Sequence, residues 1–258
     1  MIIKSKQIVI KQLPGIVLVA VFIFLTAFNC GDAALRPAPS PKVLVFSKTA
    51  AFRHGSIAAG IKAIQKLGAD NSFDVDTTTE SKKFTPSILK QYAAVIFLST
   101  SGDVLNNDQQ QAFENYIRSS GGFVGVHSAT DTEYDWPWYG NLVGAYFKNH
   151  PFFQQEAILN IVDANHPATK GLPAQWRRKD EWYNFKWIAQ GLKVLIKIDE
   201  ASYKDGQNGA DHPMAWYHEY DGGRAFYTAL GHTNESYAEP LFLQHLLGGI
   251  KYAIGKKQ

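Results

Sequence analysis

Three histidines each follow a strand that the sequence predicts. His54 comes shortly after one apolar run, His127 directly after a second and His232 shortly after a third. Because open α/β sheets bind ligands beyond the carboxyl ends of their parallel strands, we expect the three side chains to meet at one edge. Imidazole can act there as an acid, a base or a metal ligand, whereas a lone histidine is more often a hydrogen-bonded structural residue. Together the three histidines predict a catalytic or metal-binding site.

A carboxylate and a fourth histidine would complete that site. Glu181, within the sequence DEWY at 180–183, is interpreted as a base or ligand, and otherwise as a capping or salt-bridge residue. A zinc site takes neutral imidazoles, often with a carboxylate, and His127, His150 and His232 would supply the imidazoles. The sequence has no H-E-x-x-H or similar spacing. A divalent metal, zinc first, is therefore a hypothesis, and no other cofactor is predicted.

The segment that leads into His127 has the pattern of a strand ending in a sharp turn. Residues 121–129 read GGFVGVHSA, with two glycines at the start and small residues after the histidine. The segment resembles a nucleophile elbow, in which such a turn presents a serine or cysteine beside backbone N–H groups. Here the apex is His127, and the sequence contains no G-x-S-x-G and one cysteine far from this segment. Covalent amidase or esterase chemistry is therefore disfavoured, with Ser128 a minor alternative nucleophile.

Aromatic residues are concentrated in the second half, where all six tryptophans lie between positions 136 and 216. Sugar rings present apolar C–H faces that stack on aromatic rings, and a nearby carboxylate accepts hydroxyl protons. We therefore predict that a carbohydrate binds to Tyr134, Asp135, Trp136, Trp138 and Tyr183. The alternative is a folded loop that packs its own aromatic side chains.

The scaffold for these residues is predicted by apolar runs that alternate with helical patterns. The predicted strands are short and apolar and span residues 43–46, 73–75, 93–98, 122–126, 157–162 and 194–198. Helices are predicted after Ser56, a candidate N-cap, at 107–119 and from Pro240 to near Gly255. A hairpin joins 214–218 to 224–229. This order predicts an α/β fold with a mainly parallel, doubly wound sheet and a C-terminal hairpin.

Little regular pattern occurs from residue 131 to residue 193, and this stretch is interpreted as a functional loop.

The first 41 residues have the composition of an export signal and a tether. Lysines precede an apolar run at 16–28 that is too short to span a bilayer comfortably, and the only cysteine, Cys30, follows it. This order predicts a signal peptide at 1–29, lipidation of Cys30 and a proline-rich tether at 30–41. The alternative is plain secretion with a free thiol. The protein is thus expected to be exported, as a periplasmic or cell-surface lipoprotein that meets the membrane only through its anchor.

The remaining chain, 42–258, is long enough for one sizeable core, and we predict a single domain. The whole sequence has 26 basic and 23 acidic residues, and loss of the leader removes three lysines and no acids. The exported part is therefore formally neutral, which gives no electrostatic reason to expect nucleic acid as a partner.

At specific motifs the sequence resembles the ThuA-like family, named for trehalose utilisation and part of the class I glutamine amidotransferase-like superfamily. The motifs are FRH at 52–54, GFVGVHSA at 122–129, DEWY at 180–183, GRAFY at 223–227, LGH at 230–232 and HLLGGI at 245–250. The resemblance implies a flavodoxin-like sheet with helices on both faces and an elbow without the amidotransferase cysteine. It also implies sugar catabolism, in which a partner dehydrogenase oxidises disaccharides to 3-keto sugars.

The leading functional hypothesis is an enzyme that acts on a small carbohydrate or keto-sugar as a hydrolase, lyase or isomerase, and not as a glutaminase. Its catalytic residues would be His54, His127, Glu181 and His232. A 3-keto group acidifies the neighbouring C–H, so a histidine or glutamate could drive elimination without an enzyme nucleophile. The alternatives are a non-catalytic envelope module that binds sugar and a structural domain of a larger envelope assembly.

Overall fold

The computed structural model describes residues 40–255. The predicted signal peptide, the predicted lipidation site Cys30 and most of the predicted tether lie outside the described residues and stay predictions. Within residues 40–255 no helix is long and apolar enough to cross a membrane.

Eleven strands and five α-helices make up the described chain. The helices are α1 Ile57–Asp70, α2 Pro86–Leu89, α3 Asn107–Arg118, α4 Pro137–Val143 and α5 Pro240–Ile254. The strands of the first half are β1 Lys42–Phe46, β2 Asp74–Thr78, β3 Ala94–Leu98, β4 Gly122–Val126 and β5 Ala145–Asn149. The others are β6 Gln155–Ile161, β7 Gln175–Asp180, β8 Asn184–Ile188, β9 Lys193–Ile198, β10 Pro213–Tyr220 and β11 Gly223–Thr228.

Nine of these strands form one sheet in the order β2-β1-β3-β4-β11-β10-β9-β6-β7. The first five are mutually parallel, and the turn from β10 into β11 switches the remaining strands to antiparallel pairing. The parallel strands β3 and β4 are buried along their whole length, as expected of a sheet covered on both faces. The predicted α/β fold with a mainly parallel sheet and a C-terminal hairpin is confirmed.

Helices cover the parallel half on two sides. On one face, Phe113 of α3 packs against Phe97 of β3 and Phe123 of β4, with ring centroids 5.4 and 6.2 Å apart. On the other face, α5 lies so close to β11 that a Cβ on Gly249 would come within 2.2 Å of the Phe226 ring. Both layers bury apolar area at roughly 25 cal/mol per Å², and they fix the strand ends that carry the site.

The stretch from 131 to 193 is not the irregular loop that the sequence predicted. It contains α4 and strands β5 to β8, with β5 and β8 paired as a separate two-stranded sheet. Strand β7 was missed because two of its three buried positions are polar: Arg178 and Asp180 face inward and bond each other at 2.9 Å. An apolar alternation, the usual sign of a half-buried strand, is therefore lacking. Ser56 is the N-cap residue of α1, as predicted, but its hydroxyl donates to the Gly231 carbonyl and makes no capping bond to the first turn of the helix.

The antiparallel half curls back over the strand ends of the parallel half. Strand β7 is four places from β11 in the sheet, about 19 Å away if the sheet were flat. Nevertheless the Asp180 carboxylate at the end of β7 accepts hydrogen bonds from the backbone N–H groups of Gly231 and His232, just after β11. Sheet twist and curvature thus bring two distant strands to one edge.

Candidate functional site

Four side chains from four separate strand ends converge at the carboxyl edge of the sheet. His54 lies in the loop after β1, His127 directly follows β4, His232 follows β11 and Glu181 follows β7. One side-chain nitrogen or oxygen from each lies within 4.8 Å of all the others. We call these four residues the His–Glu cluster. The four catalytic residues that the sequence predicted are therefore brought together.

His127 is at the centre of the His–Glu cluster and is held in a strained turn. Its φ of 53° lies in the left-handed region, which a residue other than glycine rarely adopts, as at the apex of an elbow. Its Nδ1 lies 2.8 Å from the Ala229 carbonyl oxygen. Because that carbonyl can only accept, Nδ1 carries the proton, and Nε2 of the neutral ring keeps a lone pair that faces the other cluster members.

Four of the six distances between the donor atoms suit a small metal ion, and the other two, from His54 to Glu181 and to His232, are within 4.8 Å. His127 Nε2 lies 3.1 Å from His54 Nε2 and 3.1 Å from His232 Nδ1. The Glu181 Oε2 atom lies 3.3 Å from His127 Nε2 and 3.0 Å from His232 Nδ1. A tetrahedron with bonds of about 2.0–2.1 Å, as in zinc sites, has edges of about 3.3 Å. Three imidazoles and a carboxylate are also ligands that zinc and related ions accept.

A buried carboxylate beneath the His–Glu cluster orients two of its members. Asp180 accepts the backbone N–H of Glu181 at 2.9 Å and that of His232 at 3.1 Å. Arg178 compensates its charge with a bond of 2.9 Å and also bonds the Ser236 hydroxyl. The Asp180 carboxylate therefore ties the segment after β7 to the segment after β11, and it acts as a positioning residue.

The electrostatics favour a neutral His54 and an ionised Glu181. Burial, followed by the neighbouring His127 and His232, lowers the pKa of His54 to about 3. Burial would raise the pKa of Glu181, but its close contacts with His127 and His232 outweigh burial and hold that pKa well below its usual value. Burial opposes a charge on His232, yet the bond to Glu181 prevails and raises its pKa. In the metal-free site, a proton shared by His232 and Glu181 thus takes the place of a cation.

The His–Glu cluster lies at the bottom of a cleft of about 700 Å³, the volume of a site for a small molecule. The cleft is lined by the cluster members His54, Glu181 and His232, and by further residues that carry aromatic or charged side chains. These are Phe52, Asp131, Phe147, His150, Phe152, Phe153, Gln154, Lys179 and Tyr183. Tyr183, a predicted substrate-binding residue, packs on His127 with ring centroids 4.4 Å apart.

Among the predicted metal ligands, His150 lies outside the four convergent atoms. Its Nδ1 is 3.4 Å from Glu181 Oε1 and 2.7 Å from the Pro151 carbonyl oxygen, and its ring forms part of the cleft wall. His54, predicted as a catalytic residue, occupies the fourth position instead. Ser128, the minor alternative nucleophile, lies 3.3 Å from His54 Nδ1. A hydroxyl in that place holds the ring so that Nε2 faces His127.

The remaining predicted sugar-binding residues are not among those that line the cleft. Trp136 is buried and donates its indole N–H to Glu114, while Trp138 stacks on Trp136 and donates to Asp221. The Tyr134 hydroxyl bonds Asp131, and Asp135 is exposed. The structure therefore agrees with the alternative interpretation in that these aromatic side chains pack on one another, although the segment continues into helix α4 and is not a loop throughout.

Sequence reasoning missed Asp131 and the phenylalanines of the cleft. Asp131 follows His127 by four residues, and burial raises its pKa despite the hydrogen bond from Tyr134. A carboxylate one helical turn after a histidine at a strand end is a pattern from which Asp131 could have been predicted as a site residue. The phenylalanines carried no comparable sign, because a phenylalanine in an unassigned segment is more often a core residue.

Comparison with known proteins gives one family and several solved structures. The sequence model of the ThuA family, described as trehalose utilisation, matches residues 42–253. No protein among the curated ones matches the chain.

The structural matches include two ThuA-like proteins. One, from Bacteroides uniformis, has a TM-score of 0.72 and 24% identity over 88% of this chain and 96% of its own. The other, from Parabacteroides merdae, has a TM-score of 0.69 and 23% identity over 84% of this chain and 91% of its own. A β-galactosidase from Bacillus circulans matches with a TM-score of 0.53 and 16% identity over 82% of this chain and 31% of its own. These likenesses concern the fold.

Proposed function

This chain belongs to the ThuA family, and from that membership and the His–Glu cluster we propose that it is a metal-dependent enzyme that cleaves or isomerises a keto-sugar glycoside. The family as a whole is associated with trehalose utilisation. The reaction, the metal and the keto-sugar substrate are the proposal.

The observation that carries the proposal is the convergence of three imidazoles and a carboxylate at the bottom of an open cleft. A structural group of histidines would direct its ring nitrogens at fixed carbonyls or carboxylates. Here the lone pair of His127 Nε2 is directed at other potential ligands instead. Donor atoms that face each other at 3.0–3.3 Å are stabilised when a cation lies between them.

The proposed ligands of a divalent ion are His54, His127, Glu181 and His232. When bound, such an ion supplies positive charge that stabilises the oxyanion of an enolised ketone. Binding would displace the proton shared by His232 and Glu181, so the affinity for metal should fall as the pH falls.

Proton transfer is assigned to groups of the cleft wall outside the four ligands. A ketone at C3 acidifies the hydrogen on C2, and a base that removes it allows the glycosidic C1–O bond to break. The C2–H and C1–O bonds are lost, a C1=C2 double bond forms, and the departing oxygen takes up a proton. Asp131, whose pKa burial raises, is the proposed base, and His150 is the proposed acid. Addition of water to the double bond would make the overall reaction a hydrolysis.

The experiment is an assay of released sugar with 3-keto-trehalose and related 3-keto-disaccharides, with and without a chelator. We expect release by wild-type protein, loss of release on chelation and recovery after Zn²⁺, Mn²⁺ or Co²⁺ is added back. His127→Ala should be inactive. Equal release by wild type and His127→Ala would contradict the proposal, as would wild-type activity that chelation leaves unchanged.

A matched control is His218→Ala, which removes a buried histidine bonded to the Leu142 carbonyl away from the cleft. Thermal unfolding first establishes that this variant is folded. The folded variant should then retain the activity of wild type. Calorimetric binding of the keto-sugar without any product would support the non-catalytic sugar-binding module instead.

The proposal fits an exported protein that receives its substrate from a separate sugar dehydrogenase. Such an enzyme would create the C3 ketone by oxidising the disaccharide. Labelling of intact cells with a fatty-acid analogue, in wild type and Cys30→Ser, would test the predicted anchor.

A further inference from the structure

Three phenylalanines at the mouth of the cleft are exposed to an unusual degree. Phe52 is 64% exposed, Phe152 86% and Phe153 73%. They come from two different loops, after β1 and after β5, yet all three line the same cleft as the His–Glu cluster. Because burial of a phenylalanine side chain is favourable, an apolar group of this size left in water indicates a surface that binds a ligand or a partner.

The polarity of the cleft changes from its bottom to its mouth. The bottom holds the His–Glu cluster, and Tyr183 covers His127 there while being only 2% exposed. Phe147 packs on Tyr183 with ring centroids 4.3 Å apart and is half-buried, so an aromatic wall continues outward from the cluster. At the mouth the exposed phenylalanines are joined by three exposed polar liners, His150, Gln154 and Lys179.

We infer that the mouth of the cleft is an aglycone subsite, and that the substrate class is glycosides of aromatic alcohols. The inference rests on the proposed function, because it takes the sugar ring to lie at the His–Glu cluster. The leaving group then lies toward the mouth. A second sugar would present hydroxyl groups that phenylalanine cannot hydrogen-bond. A planar aromatic group finds both an edge and a face there, since Phe152 and Phe153 are perpendicular with centroids 4.7 Å apart.

The chemistry of the proposed elimination favours the same class. Phenols are more acidic than sugar alcohols, so a phenolate leaves from C1 with less help from a proton donor. A phenolic leaving group therefore lowers the demand on His150, the proposed acid of the cleft wall.

The binding test uses compounds that lack the C3 ketone and are therefore not turned over. Phenyl and methyl glucosides, in both anomers, are titrated by calorimetry into wild type, the double variant Phe152→Ala/Phe153→Ala and the control Val162→Ala. Val162 is also exposed but is not a cleft residue. Wild type and the control should bind the phenyl glucoside at least about tenfold more tightly than the methyl glucoside, and the double variant should lose that preference.

Equal affinity of wild type for the two glucosides would overturn the aglycone subsite. So would a preference that survives in the double variant, or a double variant that loses both glucosides equally. If the wild type self-associates with increasing concentration, the double variant does not, and wild type shows no preference for phenyl glucoside, the patch binds a second copy instead and the inference fails.

A kinetic arm separates this inference from the proposed function. Phenyl and methyl 3-keto-glucosides are compared in the released-alcohol assay. If neither is turned over but the phenyl preference in binding holds, the proposed reaction fails and the subsite stands. If both are turned over with equal KM, the reaction stands and the subsite fails.

Discussion

The His–Glu cluster and the aromatic segment 134–139, which follows His127 in the chain, satisfy their polar atoms in opposite ways. In the aromatic segment each ring hydroxyl or indole N–H donates to a fixed acceptor. The partners of Tyr134, Trp136, Trp138 and Tyr139 are Asp131, Glu114, Asp221 and the Ala129 carbonyl. In the His–Glu cluster the ring nitrogens and the carboxylate face each other. The first region satisfies its polar atoms without a ligand, whereas the second directs potential ligand atoms at one another.

The difference shows that the partner of each polar atom, and not the residue type, separates a binding site from a packed loop. A stacked pair of tryptophans has the geometry of a surface that binds sugar. The acceptors of its two indole N–H groups show that the pair is part of the packed protein instead. A group of histidines looks like a structural cluster until the Ala229 carbonyl fixes the tautomer of His127. Four predictions test this contrast by altering one region at a time.

The largest expected effect is on activity, from Glu181→Gln in the His–Glu cluster. The amide has nearly the same shape but no charge, so it cannot hold a cation or the shared proton. We expect released-sugar activity to fall at least about 100-fold. The matched control is Glu114→Gln. Glu114 is a partly buried carboxylate that accepts the indole N–H of Trp136 in the aromatic segment. Its activity should stay within about twofold, and a comparable loss in both variants would remove the contrast.

The second effect concerns metal binding and is read from thermal unfolding. An ion at 100 times its dissociation constant stabilises the protein by about 2.7 kcal/mol. For a domain of this size that corresponds to an increase in Tm of roughly 5–10 °C. We expect this increase when Zn²⁺ or Co²⁺ is added to chelated wild type and to Glu114→Gln, but not to Glu181→Gln. An equal increase in all three proteins would place the ion elsewhere.

Three of the four members of the His–Glu cluster could be predicted from the sequence because residues that follow parallel strands lie at the same edge of the sheet. His54, His127 and His232 follow apolar runs, and the carboxyl edge of a parallel sheet collects such residues. The membership of the convergent group was predicted incompletely, with His150 in place of His54 among the candidate metal ligands, since the distance between loops depends on how the sheet curls. That curl depends on β7, whose inward Arg178 and Asp180 hide the strand pattern. The direction in which an indole N–H points is likewise a tertiary property that composition does not contain.

A third, smaller effect is the pH dependence of stability in the metal-free protein. The folded-state pKa of His54 is lowered from 6.5 to about 3 by burial, so the unfolded chain binds more protons between these values. Stability is therefore lost as the pH falls below 6.5. The lowered pKa of Glu181 stabilises the fold above 4.5, so the window from 6.5 to 4.5 separates the two residues.

The variant His54→Gln removes one of the groups that must stay neutral. Denaturant unfolding of chelated protein should show a weaker loss of stability for this variant than for wild type, by on the order of 2 kcal/mol between pH 6.5 and 4.5. His166 and His245, whose pKa values burial also lowers to about 4, contribute to the loss in both proteins. Identical pH profiles would mean that His54 is already hydrated or charged in the folded protein.

The smallest expected effect on activity is that of a substitution in the aromatic segment 134–139. Trp138→Phe removes the indole N–H that bonds Asp221 at 2.8 Å but leaves a ring to stack on Trp136. Loss of one partly exposed hydrogen bond should lower the free energy of unfolding by about 1 kcal/mol. Because the ring packs on Trp136 and Tyr220 and does not line the cleft, kcat/KM for a keto-sugar should stay within about twofold of wild type. A tenfold rise in KM at unchanged kcat would contradict this prediction. It would indicate that Trp138, and with it the segment 134–139, contacts the substrate.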